Sequence, residues 1–181
     1  MILVIFAHPY PDRSTANRRL VESLDGLAGV TVRSLYERYP DFAIDTAAER
    51  AALEAASVIV WQHPIYWYTV PALLKLWFEK VLTPGWAWGP GGNALRGKPL
   101  LWVVTSGGDE HDYESSGIHK EHFDAFIPVV RQTAEFCHME WLEPLIINGV
   151  RQLDASELEA WGQRYRSRLE QLGAGEGNVD V

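Results

Sequence analysis

The sequence predicts one α/β domain, a three-layer sandwich whose five-stranded parallel sheet has the order 2-1-3-4-5 and helices on both faces. Three observations carry this. The chain has 181 residues, about the length of a single domain. Short apolar runs alternate with stretches of helical periodicity, and strict alternation implies parallel strands joined by crossover helices. The first run is apolar without a break, as a strand buried on both faces is.

That first run is Ile2 to Ala7. Leu20, Leu24 and Leu27 then recur at helical spacing. The second run, Val30 to Leu35, alternates and fits a strand nearer the sheet edge. Asp45, Thr46 and Glu49 read as a capping box, with Thr46 as N-cap and Glu49 at the third position. Ser57 to Gln62 is the third run. Val70 and Pro71 open an apolar helix to Leu82, with Pro71 at its first position. Pro99 to Thr105 is the fourth run. Phe123, Ile127, Val130, Ala134 and Cys137 share one helical face, and Pro128 inside that pattern makes the helix start there or bend. The fifth run, Glu140 to Asn148, contains Pro144, which cannot donate to a ladder and predicts an edge or a bulge. Ser156 to Glu159 reads as a second capping box opening a helix to about Leu172. The domain is therefore expected over residues 1–172. The glycine-rich tail 173–181 is expected to be mobile.

Hydrophobic residues are 47% and charged residues 22%, an ordinary globular composition. Sixteen Lys plus Arg against 24 Asp plus Glu give a net charge of −8. With no basic face, the chain is not expected to bind nucleic acid. One cysteine, Cys137, cannot close a disulfide within the chain and suits a reducing cytosol. No apolar run approaches the ~20 residues of a membrane span. The N-terminus lacks the basic region of a signal peptide. Eight Trp could fill a core, line an interface or stack on a flat cofactor.

Ligands of open α/β sheets bind at the carboxyl ends of the strands near the switch point, which here selects the loops after strands 1, 3 and 4. The first runs from His8 through Ser14, Thr15, Ala16 and Asn17 into a helix. Such residues cap a helix, and with the free N–H groups they also cradle phosphate. The second places Ile65, Tyr66, Trp67 and Tyr68 together. Three consecutive aromatic residues in a loop suit a flat ring system, with a core or dimer-interface cluster as the rival. The third is Thr105, Ser106, Gly107 and Gly108, where two glycines allow close backbone approach or simply make a turn. Together they describe a site for a mononucleotide carrying a flat ring.

Other signals fail on context. Gly89 to Ala94 matches a dinucleotide fingerprint, but no strand leads into it and no helix follows. Gly92 to Lys98 begins like a phosphate-binding loop, but Pro99 stands where Ser or Thr is needed. His111, His119 and His122 lie near acidic residues in no firm zinc spacing, so no metal is expected. Cys137, on an apolar helical face, reads as a buried small residue rather than a nucleophile.

As a set, several segments resemble one family. They are His8 to Pro11, Ser14 to Asn17, Ser34 to Tyr36, Tyr39 to Phe42, Trp61 to Pro64, Trp67 and Tyr68, Pro71 to Trp77, Gly85 to Ala87, and Thr105 to Gly108. Over about residues 1–170 the chain resembles the flavodoxin-fold NAD(P)H:quinone oxidoreductases. Within them it is most similar to the ancillary subunits of the bacterial Kef glutathione-gated potassium-efflux systems. The resemblance implies a flavodoxin-like sandwich, bound FMN, NADPH or NADH as co-substrate and a quinone as electron acceptor. It also implies a homodimer in the cytoplasm. The alternative it raises is a regulatory subunit that docks on a potassium-efflux transporter, peripheral to the inner membrane. By position, His8 and Ser14 to Asn17 would hold the phosphate, and Ile65 to Tyr68 with Thr105 to Gly108 would border the ring. Tyr113 and His119 fall at the distances from the Gly-Gly turn where the animal quinone reductases carry a catalytic Tyr and His. A polar lid is the rival for those two. Glu79, Ser106 and Trp88 depart from the residues usual in the family, and Trp88 could alter the pocket's shape.

Overall fold

A computed structural model describes residues 1–175. Strand β1 (Ile2–Phe6) is central and entirely buried. It pairs in parallel with β2 (Val30–Ser34) on one side and β3 (Val58–Pro64) on the other. β3 pairs with β4 (Pro99–Thr105). The order is β2-β1-β3-β4-β5, as the alternation predicts. The fifth position is shared by two short strands, β5 (Glu140–Trp141) and β6 (Leu145–Ile147), both parallel to β4. Pro144 falls in the gap between them, where its missing N–H removes no ladder bond.

Each central strand sends alternate residues to two cores. Leu3, Ile5, Trp61 and Trp102 pack under α3 (Thr46–Ala55), α4 (Ala72–Val81) and α5 (Ile127–Phe136). Ile2, Val4, Val60 and Val103 pack under α1 (Thr15–Glu22) and α6 (Ala155–Ala174). A strand covered on both sides must be apolar at every position, which explains the unbroken runs. Three of the eight tryptophans, Trp61, Trp77 and Trp102, are fully buried core residues.

Helix starts differ from the sequence reading in detail. The N-cap of α3 is Asp45, not Thr46, with its carboxylate accepting from the Ala48 N–H at 3.0 Å. Glu49 does no capping. It is fully buried and bound by the Arg33 guanidinium, the Tyr39 hydroxyl at 2.6 Å and the Trp77 indole N–H at 3.0 Å. That ion pair anchors β2, through Arg33, to the helical layer. In α6 the capping box is Asp154 with Glu157, two residues before the expected one. A 3₁₀ turn over Phe123–Phe126 leads into α5, where Pro128 occupies the first turn, so the helix starts rather than bends. A short helix α2 (Leu35–Arg38) follows β2 directly. Helix α6 continues to Ala174 and is closed by Gly175 at φ +82°. Positions 176–181 of the expected tail lie outside the described residues.

Candidate functional site

The chain runs from β1 outward to β2 and then back past β1 to β3, so the carboxyl ends of β1 and β3 flank the switch point. The loops after β1, β3, β4 and β6 enclose a cleft of about 630 Å³. A second cavity of about 330 Å³ adjoins it. The two share Ile65, Gly107 and Arg151 in their walls. A larger hollow of about 910 Å³ lies on the flank of the sheet beside α6, half of its wall made by long polar side chains. Chemistry and topology, not size, make the former pair the candidate site.

The start of α1 forms one end of the cleft. Ser14 is the N-cap, and its hydroxyl accepts from the Asn17 N–H at 3.2 Å. The N–H groups of Thr15 and Ala16 have no intrahelical partner and lie at the positive end of the helix dipole. Asn17 is 2% exposed. Its Nδ2 donates to Thr105 Oγ1 at 2.7 Å, and its carbonyl accepts from Gln62 Nε2 at 3.1 Å. This one residue ties the ends of β3 and β4 to the head of α1. Asn17 Oδ1 and Gln62 Oε1 are buried without a partner among the described residues, a costly arrangement that native folds keep to few places. His8 Nδ1 accepts from the Tyr10 N–H at 3.0 Å, so its ring proton sits on Nε2. Burial holds this imidazole below its ordinary range. The cleft wall includes His8, Arg13 and Arg151 and no carboxylate, in a chain of net charge −8. Free helix N–H groups, a neutral imidazole donor and unopposed cations make a receptor for an anion such as phosphate.

The second cavity is aromatic. Tyr66 and Thr69 exchange both backbone hydrogen bonds at 3.0 Å, closing a two-residue hairpin after β3. At its tip Trp67 has φ +49° and Tyr68 φ +63°. Two successive positive φ values are those of a type I′ turn, which sequences usually fill with Asn-Gly. Side chains with a Cβ in that conformation cost on the order of 1 kcal/mol each. Trp67 nevertheless stands 91% exposed. Tyr68 stacks on Phe126 with centroids 5.1 Å apart, and its hydroxyl lies 3.3 Å from His119 Nδ1. The His119 ring stacks on Tyr113 at 4.3 Å and 20°. Tyr113 is 5% exposed, with its hydroxyl 2.9 Å from Ser106 Oγ. Burial raises its pKa, so the phenol keeps its proton at neutral pH.

The structure brings the sequence-predicted residues together with one exception. His8, Ser14, Thr15, Ala16, Asn17, Ile65, Tyr66, Thr105 and Gly107 line the cleft. Trp67, Tyr68, Gly108, Tyr113 and His119 line the aromatic cavity. Ser106 lines neither. It is 1% exposed, and its hydroxyl is used within the loop, by Gly108 O and the Tyr113 hydroxyl. The glycines also do something unforeseen. A Cβ at Gly107 would lie 3.0 Å from Arg151 Nε, and one at Gly108 would lie 3.1 Å from His119 Nε2. Their smallness admits side chains of this chain as well as any ligand. Arg13 and Arg151 are missing from the sequence-based site. Arg151 follows β6, whose carboxyl end adjoins that of β4, so the same topological rule applied to the last strand could have found it.

The family described as having a flavodoxin-like fold matches residues 1–169. The glutathione-regulated potassium-efflux system ancillary protein KefF of Salmonella typhimurium is 51% identical over 169 residues, covering 93% of this chain and 95% of that protein. General stress protein 14 of Treponema denticola, solved in complex with FMN, superposes with a TM-score of 0.86 at 33% identity, covering 94% of this chain and 98% of that one. An NADPH-quinone reductase from P. pentosaceus superposes with a TM-score of 0.83 at 25% identity, covering 92% and 96%.

Proposed function

The chain belongs to the flavodoxin-like-fold family, and on that footing we propose that it is an FMN-dependent NAD(P)H:quinone oxidoreductase. The observation that carries this is the continuity of a carboxylate-free cationic cradle with an aromatic cavity through three shared residues. The residues present fit a flavin mononucleotide. Its phosphate would meet the Thr15 and Ala16 N–H groups, His8 Nε2 and Arg13. Its ring would lie between the Tyr66–Tyr68 hairpin and the Gly107–Gly108 loop. The combined volumes fall in the range of small-molecule sites, roughly 300–1,000 Å³. When bound, the flavin supplies the two-electron chemistry, taking hydride from a reduced nicotinamide and passing it to a quinone.

The chain's own residues supply the rest. Ser14 and Asn17 hold the cradle in shape from below. Trp67 and Tyr68 offer flat apolar faces against which a nicotinamide and a quinone alternate. The Tyr68 hydroxyl meets His119 at Nδ1, and the other ring nitrogen, Nε2, faces the Gly108 loop. With Tyr68 donating to Nδ1, His119 would hold a proton on Nε2 from which it could donate to the edge of a bound ring. The buried Tyr113 phenol, stacked beneath it, fixes its plane. The exposed Val129 and Phe136 beside Trp88 suit a homodimer contact.

A second role has a specific observation behind it, the 51% identity to a potassium-efflux ancillary protein. We infer that the chain also docks on the cytoplasmic part of such a transporter. Among the described residues no helix is long and apolar enough to cross a membrane. Anaerobic titration with NADPH, followed by visible spectroscopy, tests the enzyme. We expect bound FMN to bleach in one two-electron step and recover on adding menadione. Apo-protein that binds no FMN would overturn the site, and FMN that neither NADPH nor NADH reduces would leave the docking role alone. Co-purification with a transporter's soluble domain tests that role.

A further inference from the structure

One cation in the cleft, Arg151, has no partner within the chain among the described residues. Arg151 follows a loop stitched to the Gly-Gly turn by three backbone bonds: Ser106 N–H to Ile147 O at 2.9 Å, Gly149 N–H to Gly108 O at 2.7 Å, and Val150 N–H to Ser106 O at 3.0 Å. Gly149, at φ +67°, then turns the chain, and the Gln152 N–H closes the turn on Gly149 O at 2.8 Å. The base of Arg151 is therefore fixed. Its guanidinium lies over Gly107, with Nε 3.0 Å and Cζ 3.2 Å from where a Cβ would stand. Among the described residues it makes no hydrogen bond and no ion pair. The fold uses other cations as struts. Arg33 binds Glu49, Arg50 binds Val81 O and Thr83, Lys98 binds Glu54 O, and Arg166 binds Ser23 O.

Position separates Arg151 from the phosphate end. Arg13 lines the cleft alone, whereas Arg151 lines both cavities. It thus brings positive charge into the aromatic cavity, which Arg13 does not. The one carboxylate lining that cavity, Asp112, is turned into its own loop, where Oδ2 accepts from the Asp109 N–H at 3.1 Å. An exposed guanidinium with no protein partner, carried on a fixed stretch of backbone beside flat aromatic faces, suits an aromatic ring that bears an anionic group.

Resting on the oxidoreductase assignment, we propose that Arg151 binds the second substrate and selects aromatic electron acceptors bearing a carboxylate or sulfonate over neutral ones. The probes are anthraquinone-2-sulfonate and neutral menadione, compared in wild type, Arg151→Gln and Arg151→Lys. Equilibrium dialysis of anthraquinone-2-sulfonate against the oxidised, FMN-loaded protein reads binding without turnover. We expect Arg151→Gln to raise its Kd about tenfold or more, and to lower the kcat/KM ratio of anionic over neutral quinone by a similar factor. Arg151→Lys should recover part of both. An unchanged Kd and ratio would overturn the proposal. So would an equal loss with both quinones, which would give Arg151 to the cofactor. If wild type reduces neither quinone, the oxidoreductase assignment fails, and the dialysis result alone then decides whether Arg151 holds the anion.

Discussion

At the scale of single residues, two glycines of the Gly107–Tyr113–His119 region separate packing from positioning. A Cβ on Gly117 would stand 2.2 Å from His111 O and 2.4 Å from Asp112 O, backbone atoms that cannot step aside. We expect Gly117→Ala to open this turn, lose the Tyr113–His119 stack and cost about 1–3 kcal/mol. A Cβ on Gly108 meets side-chain atoms and no backbone atom: Asp112 Oδ2 and His119 Nε2 at 3.1 Å and Asp112 Cβ at 3.2 Å, all within the range where a shift of a few tenths of an ångström suffices. Gly108→Ala should therefore change stability by less than about 1 kcal/mol while displacing His119 and slowing flavin reduction. Urea midpoints beside single-turnover reduction rates check the contrast. The residue scale also shows what sequence spacing misreads. Glu49 sits three positions after Thr46 and looks like a capping partner, yet its true partners, Arg33, Tyr39 and Trp77, are distant in sequence. Local spacing carries no trace of such a contact.

At the scale of elements, the hairpin after β3 stores strain where the chemistry is expected. Trp67 and Tyr68 hold positive φ without being glycine or asparagine. Replacing them with Asn and Gly should relax the turn, stabilise the fold by about 1–2 kcal/mol, and weaken flavin and quinone binding. Thermal melts of the apo-protein and FMN titration of the double variant give the two readings, and a destabilised variant would refute the account. The strands were legible because burial on both faces leaves an unmistakable apolar run. Pro144 marked residues 140–148 as an edge or a bulge, but their division into two short strands was not read from it. Helix boundaries were less legible. Asp154 and Ser156 are both good caps, and it is the Asp154 carboxylate that takes the Ser156 and Glu157 N–H groups while the Glu157 carboxylate accepts from the Asp154 N–H. The 3₁₀ turn before α5 has no periodic signature of its own.

At the scale of the whole molecule, one buried imidazole links fold stability to pH. His63 is 0% exposed in β3, donating from Nδ1 to Pro64 O at 2.9 Å and accepting the Trp102 indole N–H on Nε2 at 2.8 Å. Burial pushes its pKa down to about 4, from 6.5. The unfolded chain therefore binds a proton between pH 6.5 and 4 that the folded chain refuses. The stabilisation is complete above pH 6.5 and is lost as pH falls toward 4, amounting to about 3 kcal/mol. Urea unfolding across that window should show a shallower pH slope in His63→Asn than in wild type. The site was legible at this scale because sheet topology, not local motif, decides which loops meet. Reading only the loops after strands 1, 3 and 4 found every wall except the one after the last strand, and so missed Arg151. The broken edge has a consequence of another kind. β5 and β6 are two and three residues long, with a proline between them, so this border presents no continuous row of amide groups on which a foreign strand could register. An open parallel sheet invites runaway strand addition at its margins. Here that margin resists fibril growth by being too short and too interrupted to template it.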